Sequence, residues 1–369
     1  MIRPTLLAGL LAFMPVPLAA HEETPPPVDM TERAATMSAA AAAFAASLEP
    51  DQRALLQKDI ADAAARTDWS NLPAAIYPRT GLSLGQLDDR QRRAFHDLLA
   101  ASTSSQGYAT AATIMWIDDI LRGIETERLP SVAPDQRELR QRVMESRGSG
   151  NYWIALFGDP ASGRWGWMIN GHHFAAHFTV VDGKVAFTPL FLGANPQTIE
   201  RGPYAGWRVL GHEISDGFAL FRALSPEQQA KALVGPSVTA ELFTGKGRKD
   251  AQPEPVGLLA AELPPALQQR LMRLVEDFAG SAADTAATDQ MRRIRADGPG
   301  SLRLAWWGST DDPAQRFLYR IQGPSILIEF TREPDGEGPG NHVHAIVRDP
   351  GNDYGEDWLA LHYTEAPHP

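Results

Sequence analysis

The order in which helical and strand textures follow one another constrains this chain more than any single motif. From Thr31 to about Arg147 it reads helical: TERAATMSAAAAAFAASL, DDRQRRAFHDLLAAS and GYATAATIMWIDDILRGIE repeat apolar residues at helical spacing. Thr31 suits a cap, and Glu32 falls in the first turn, where the helix dipole favours an acid. The texture changes near Asn151. NYWIALFG, a turn at DPASG and then RWGWMIN predict a hairpin. HFTVV-DG-KVAF predicts a second, because Asp-Gly suits the two-residue turn whose twist matches its strands. GWRVLGHEISDGFALFRAL and ELPPALQQRLMRLVEDFAG return to helix, and LRLAWWG, RFLYRIQG, SILIEFT and NHVHAIV to strand. The loop PDGEGPG joins the last two strands as a wide hairpin. Textures segregated in blocks predict an α+β fold, a helical N-terminal part packed on a mainly antiparallel sheet with further helices.

Related openings recur at LEPDQRALL from Leu48, LDDRQRRAF from Leu87, APDQREL from Ala133 and LSPEQQAKAL from Leu224. Each puts an acid or proline in a first helical turn. Their irregular spacing reads as convergence on one helix-start chemistry rather than a solenoid.

Residues 1–20, MIRPTLLAGLLAFMPVPLAA, have one Arg, a short apolar run and then small residues, the form of a secretory signal peptide. Residues 21–30 read as an acidic, proline-rich linker. The helical part follows over 31–150 and a mixed α/β part over 151–365, the two able to form one continuous domain. Export to the periplasm or the medium is the expectation. The mature chain then has no further membrane segment. It has no cysteine, which excludes disulfides, thiolate ligands and cysteine nucleophiles. A formal net charge of −11 argues against nucleic acid and anionic membranes as partners. Cleavage after Ala20 would expose His21, whose amine and imidazole together can chelate copper.

Three of the ten histidines fall within GHHFAAH. If the whole stretch from Trp165 to Val181 is one strand, His172 lies on its more apolar face with Phe174 and Phe178, and His173 on the other with His177. A core histidine donating to a backbone carbonyl is the bland reading of His172. Gly171 can introduce a bulge that re-aims both His172 and His173. The four-residue spacing of His173 and His177 matches a helical metalloprotease motif, but no Glu follows His173 and the neighbours are strand formers. In NHVHAIVRDPG, His342, His344, Ile346 and Arg348 share one strand face, and imidazoles about 7 Å apart along the backbone can reach one ion. His172, His173, His342 and His344 are therefore the candidate metal ligands. Glu213, in GHEISDG, is a candidate general base, and Arg348 and Asp349 candidates for substrate anchoring or base chemistry. The tryptophans Trp153, Trp165, Trp167, Trp207, Trp306 and Trp307 can wall a saccharide-like or flat substrate, or serve as core.

WGWMINGHHF, FLGANP with GPYAGWRVL, RIQGPSILIEF and NHVHAIVRDPGNDYGEDWLALHY together resemble a family of exported bacterial proteins, the domain of unknown function number thirty-five hundred. The resemblance runs from roughly Asp51 to Tyr363 and brings no activity with it. It implies that the His-containing stretches belong to one design, and adds Asp353 and His362 as weaker candidates. The family pattern has an acid before the helix glutamate, where this chain has His212.

The leading expectation is an exported metal-dependent hydrolase for a small-molecule or saccharide-like substrate. Its divalent ion is expected to be zinc, with copper or iron as alternatives. The alternatives in other classes are a copper or iron redox protein and a non-catalytic periplasmic ligand- or metal-binding protein. Neither metal identity nor oligomeric state is fixed by the residues.

Overall fold

The computed structural model describes residues 26–238, 242–245, 253–333 and 340–365. The signal-peptide reading, His21 and most of the PDGEGPG loop lie outside these residues. The N-terminal stretch forms α1 (Thr31–Ser47), α2 (Pro50–Leu56), β1 (Gln57–Lys58), α3 (Ala63–Thr67), β2 (Leu82–Ser83), α4 (Asp89–Ser102), α5 (Ser105–Arg128) and α6 (Pro134–Glu145). β3 (Trp153–Gly158), β4 (Arg164–Asn170), β5 (Phe174–Val181), β6 (Lys184–Ala186) and β7 (Leu190–Ala194) follow. Next come α7 (Gly211–Arg222), α8 (Pro226–Ala232), β8 (Leu233–Gly235) and β9 (Leu258–Leu259). The chain then runs through α9 (Pro265–Ala279), α10 (Asp284–Ala296), β10 (Arg303–Gly308), β11 (Phe317–Gln322), β12 (Leu327–Glu333), β13 (His342–Arg348) and α11 (Glu356–Glu365). No helix among the described residues is long and apolar enough to cross a membrane.

The fold is α+β. Among the described residues one sheet takes in thirteen strands, in the order β1-β3-β4-β5-β7-β13-β12-β11-β10-β8 with β2, β6 and β9 beside it. Pairing is antiparallel except at the two ends, where β1 runs parallel to β3 and β8 to β10. Local chemistry matches these elements. Asp88 and Gln91 form a capping box at α4, and Ser104 accepts from the Gly107 amide at α5. Asp182 and Gly183 both take positive φ, 50° and 78°, as the tight turn between β5 and β6 requires. Helices cover one face of the sheet, and Trp69, Phe191, Ile346 and Tyr354 form a second cluster on the other. Burial on both faces is why FAAHFTVV reads as a nearly continuous apolar run rather than an alternation. The largest core cluster joins Phe44 and Phe95 of the helical part to Trp165 and Trp306 of the sheet, so the texture change at residue 150 does not divide the core.

The strand order reads the same from either end, with β7 and β13 at the middle. The halves correspond element by element: α1, α2, β1, β2, α4, α5 and β3–β5 in one, α7, α8, β8, β9, α9, α10 and β10–β12 in the other. Sequence agrees. LEPDQRALL and LSPEQQAKAL open α2 and α8, and GLSLGQL and GLLAAEL carry β2 and β9. Thr-Ala-Ala-Thr recurs in α5 and α10, and Gly81 and Gly257 share left-handed φ of 106° and 91°. The openings at Leu48 and Leu224 thus hold equivalent places in the two halves. Among the described residues the first half departs from the shared plan at α5, which is longer, with 24 residues against 13 in α10, and at α3, α6 and β6, which have no counterpart.

Candidate metal centre

The stretch from Trp165 to Val181 is two strands, not one. β4 ends at Asn170 and β5 begins at Phe174, with Gly171, His172 and His173 as the turn closed by a 2.9 Å bond from the Gly171 amide to the Phe174 carbonyl. The expected division of His172 and His173 onto opposite faces therefore does not hold. Their rings lie side by side, centres 3.5 Å apart. The carbonyl-bonded core histidine is instead His177, whose Nδ1 lies 3.0 Å from the Pro189 carbonyl. Gly171 makes no bulge. It makes room for Tyr152, whose ring a Cβ at this position would meet at 2.1 Å.

β7 brings the two histidine segments together. It pairs with β5 on one side and β13 on the other, placing Gly193 opposite His344 and bonding its amide to the His173 carbonyl at 2.7 Å. At this end of the sheet the Nε2 atoms of His173 and His342 are 3.1 Å apart, and those of His342 and His344 2.9 Å. Ligand atoms around a tetrahedral zinc with Zn–N of about 2.0–2.1 Å lie roughly 3.3–3.4 Å from one another. The two separations are slightly shorter than those of that set, and all three ligand atoms lie within 4.8 Å of one another.

Asp118 on α5 fixes the protons. Its Oδ1 accepts from His173 Nδ1 at 2.9 Å and its Oδ2 from the Tyr152 hydroxyl at 2.7 Å. A carboxylate only accepts, so the His173 proton sits on Nδ1 and its Nε2 presents a lone pair. One proton shared among three converging nitrogens cannot satisfy them all, whereas a cation can. Burial pushes His173 down to about 4, against the pull of Asp118, and holds His342 well below the ordinary range with help from its imidazole neighbours. Burial opposes the charge of Asp118, but attraction and hydrogen bonds from His173 and His172 outweigh it and hold the carboxyl low. Burial and the adjacent Asp118 carboxylate keep the Tyr152 phenol protonated. Three imidazoles with a carboxylate behind one of them form the outer-shell pattern common to metal-bound histidines.

A second group, Asp118, His172 and His173, also has its ligand atoms within 4.8 Å of one another. Arg147 occupies its approach: Nη1 is 2.7 Å from His172 Nδ1, and the guanidinium pairs with Glu125 at 3.1 and 3.2 Å. A fixed cation there repels a second ion, so this group supports the first set rather than forming another. The buried His/Asp groups can hold a metal ion.

The other candidates lie elsewhere. Arg348 shares the histidine face of β13 but sits four residues beyond His344, roughly 13 Å by strand rise. Its Nε is 3.1 Å from Asp353 Oδ2. Asp349 pairs with Arg293 at 2.5 Å. Glu213 lies on α7 near His212, Asp216 and Asp277, with burial raising its carboxyl, and its carbonyl accepts from Tyr319. Glu213, Arg348 and Asp349 thus have partners of their own in the fold. His362 pairs with Asp182 at 2.6 Å. Trp165, Trp167, Trp306 and Trp307 are core, whereas Trp207 is half exposed and meets Trp116 edge-on with centres 5.8 Å apart.

A cleft of about 1020 Å³ opens beside the centre, between the end of α5, α6 and the segment after β7. Arg147 and Asn341, lining it, connect it to His172 and His342. Sequence reasoning missed Asp118, Tyr152, Arg147 and Gly193.

The family model described as Protein of unknown function (DUF3500) matches residues 30–356. No curated protein and no solved structure matches the chain.

Proposed function

Since the chain belongs to the DUF3500 family of proteins of unknown function, which carries no activity across, we propose from the site itself that it is a zinc-dependent hydrolase. The observation behind this reading is the convergence of the Nε2 atoms of His173, His342 and His344, with Asp118 holding His173 in the ligating tautomer. His173, His342 and His344 would hold the zinc through neutral imidazoles, and the ion would supply Lewis-acid activation of water for hydrolysis.

The chain's own residues have distinct parts in this scheme. Asp118 and Tyr152 orient His173. Arg147, held by Glu125, fixes His172 against it and brings positive charge to the cleft wall. The cleft admits a small-molecule or saccharide-like substrate of modest size. Glu213 and Asp349, expected as bases, draw no support from their positions, and the reading assigns them no step.

The duplication supports a specialised site. In the second half the turn equivalent to Gly171-His172-His173 is Gly323-Pro324-Ser325, closed by the same bond, from the Gly323 amide to the Ile326 carbonyl at 2.8 Å. Counted from the shared Thr-Ala-Ala-Thr, Arg293 stands in the place of Asp118. His173, its supporting carboxylate and the α6 wall therefore depart together from the common plan in the first half, while His342 and His344 come from β13 beside the second. Activity in the periplasm or medium, after loss of residues 1–20, belongs to the same reading.

Elemental analysis of the purified native protein tests it. Zinc at one equivalent is expected, lost in the variant carrying His342→Ala and His344→Ala while the circular dichroism spectrum stays unchanged. Native protein without stoichiometric metal would overturn the reading, and copper or iron in its place would move it to redox chemistry.

A further inference from the structure

The cleft beside the histidines has a charge balance at odds with the rest of the molecule. The chain carries a formal net charge of −11, yet four arginines and three glutamates line this cleft. Two of the arginines have acids to answer them: Arg147 pairs with Glu125, and Arg201 stands 3.7 Å from Glu127. The third acid, Glu200, accepts from Asn341 Nδ2 at 3.1 Å.

That leaves Arg128 and Arg140 without an acidic partner among the described residues. Arg128 closes α5, where the helix dipole favours a cation, so its charge has a local account. Arg140 has none. It sits inside α6 with Gln136 and Met144 one turn to either side, so the usual acid at helical spacing is missing, although Arg142 on the same helix has Glu138. Ile120, Ile124, Leu129 and Ile199 give the same cleft an apolar lining. All of this is built from the longer α5, from α6 and from the segment after β7, and α6 has no counterpart in the other half.

Resting on the metal-centre reading above, we propose that the substrate is an anionic amphiphile: a carboxylate or phosphate head held by Arg128 and Arg140, with an apolar body along α5. An arginine fork suits either head through paired N–H donors. In a largely acidic molecule a locally positive cleft also concentrates anions at its mouth. The cleft volume, about 1020 Å³, is ample for a body of six to ten carbons.

Titration calorimetry of the full-length protein as purified tests this without depending on hydrolysis, using hexanoate, hexyl phosphate and neutral hexanamide. At least one anion should bind roughly tenfold more tightly than hexanamide, the scale of a charge-assisted contact. The preference should largely vanish in the variant carrying Arg128→Gln and Arg140→Gln, and persist in the variant carrying His342→Ala and His344→Ala. Should the double arginine variant fold poorly, Arg140→Gln alone, at an exposed helix position, should lose part of the preference. Equal binding of all three ligands, or a preference that survives arginine replacement, would overturn the proposal. A preference lost only in the histidine variant would overturn it too, while leaving the metal centre standing. Absence of metal alongside intact anion preference would overturn the hydrolase reading and keep this one.

Discussion

Gly193 lies between the imidazoles of His173 and His344, so close that a Cβ on it would stand 3.0 Å from one Cδ2 and 2.7 Å from the other. The glycine of FLGANP is thus a spacer that lets two rings from different strands approach one point. In Gly193→Ala the rings must move apart, and the added methyl also meets the Val343 carbonyl at 3.2 Å. Overpacking of this kind costs about 1–3 kcal/mol. We expect zinc affinity to fall by about ten- to a hundredfold, the scale seen when supporting residues are altered. Competition with a chromophoric chelator measures it, and unchanged affinity would show that the three rings do not share an ion.

Asp118→Asn keeps the shape of the carboxylate and removes its charge. The amide can still accept from Tyr152 or from His173, but it no longer compels His173 to carry its proton on Nδ1. Zinc affinity should again drop by about ten- to a hundredfold. Tyr152→Phe, which removes only the bond to Oδ2, should weaken it less. Equal losses in the two variants would mean that the hydroxyl, not the charge, sets the tautomer.

The glycine of Gly-His-His answers to packing. A Cβ at Gly171 would lie 2.1 and 2.3 Å from atoms of the Tyr152 ring, which is fully buried and cannot swing into solvent. Gly171→Ala should therefore destabilise the fold by about 1–3 kcal/mol and detach Tyr152 from Asp118. Guanidinium unfolding gives the first effect and a parallel loss of metal affinity the second. A stability loss with metal affinity intact would uncouple the turn from the centre.

The His-x-His pair was legible because strand alternation alone puts His342 and His344 on one face. His172 and His173 were visible as residues but not as geometry. A three-residue turn inside an apolar run leaves no mark in period, so one strand was expected where there are two. Asp118 did leave a signal: it follows Ile114 by one helical turn and precedes Leu121 by three residues, a carboxylate on the buried stripe of α5. Such an acid needs a partner, and its partners come from a turn distant in sequence. Arg348 shares the strand face of the two histidines, but a shared face says nothing of distance along the strand. The duplication was in principle readable from Thr-Ala-Ala-Thr and the two similar helix openings. The openings at Leu87 and Ala133, which stand between the equivalent pair at Leu48 and Leu224, disguised it as irregular spacing.

His177 predicts the acid response of the fold. It is buried, its Nδ1 is positioned on the Pro189 carbonyl, and burial pushes its pKa down to about 3, from 6.5 for the free side chain. The folded state thus binds this proton more weakly than the unfolded one. Its contribution is fully present above pH 6.5 and lost as pH falls from there toward 3, at about 1.4 kcal/mol per pH unit inside that window. His173 and His342 are shifted the same way in metal-free protein, so the wild-type slope contains several such protons. His177→Gln, whose amide can keep a bond to the carbonyl, should reduce the slope of stability against pH between 4 and 6 by close to one proton. Guanidinium midpoints of metal-free protein across that range measure it. An unchanged slope would mean that His177 opens to solvent before it titrates, and that Trp69 and Tyr354, packed edge-on against its ring, do not hold it in place.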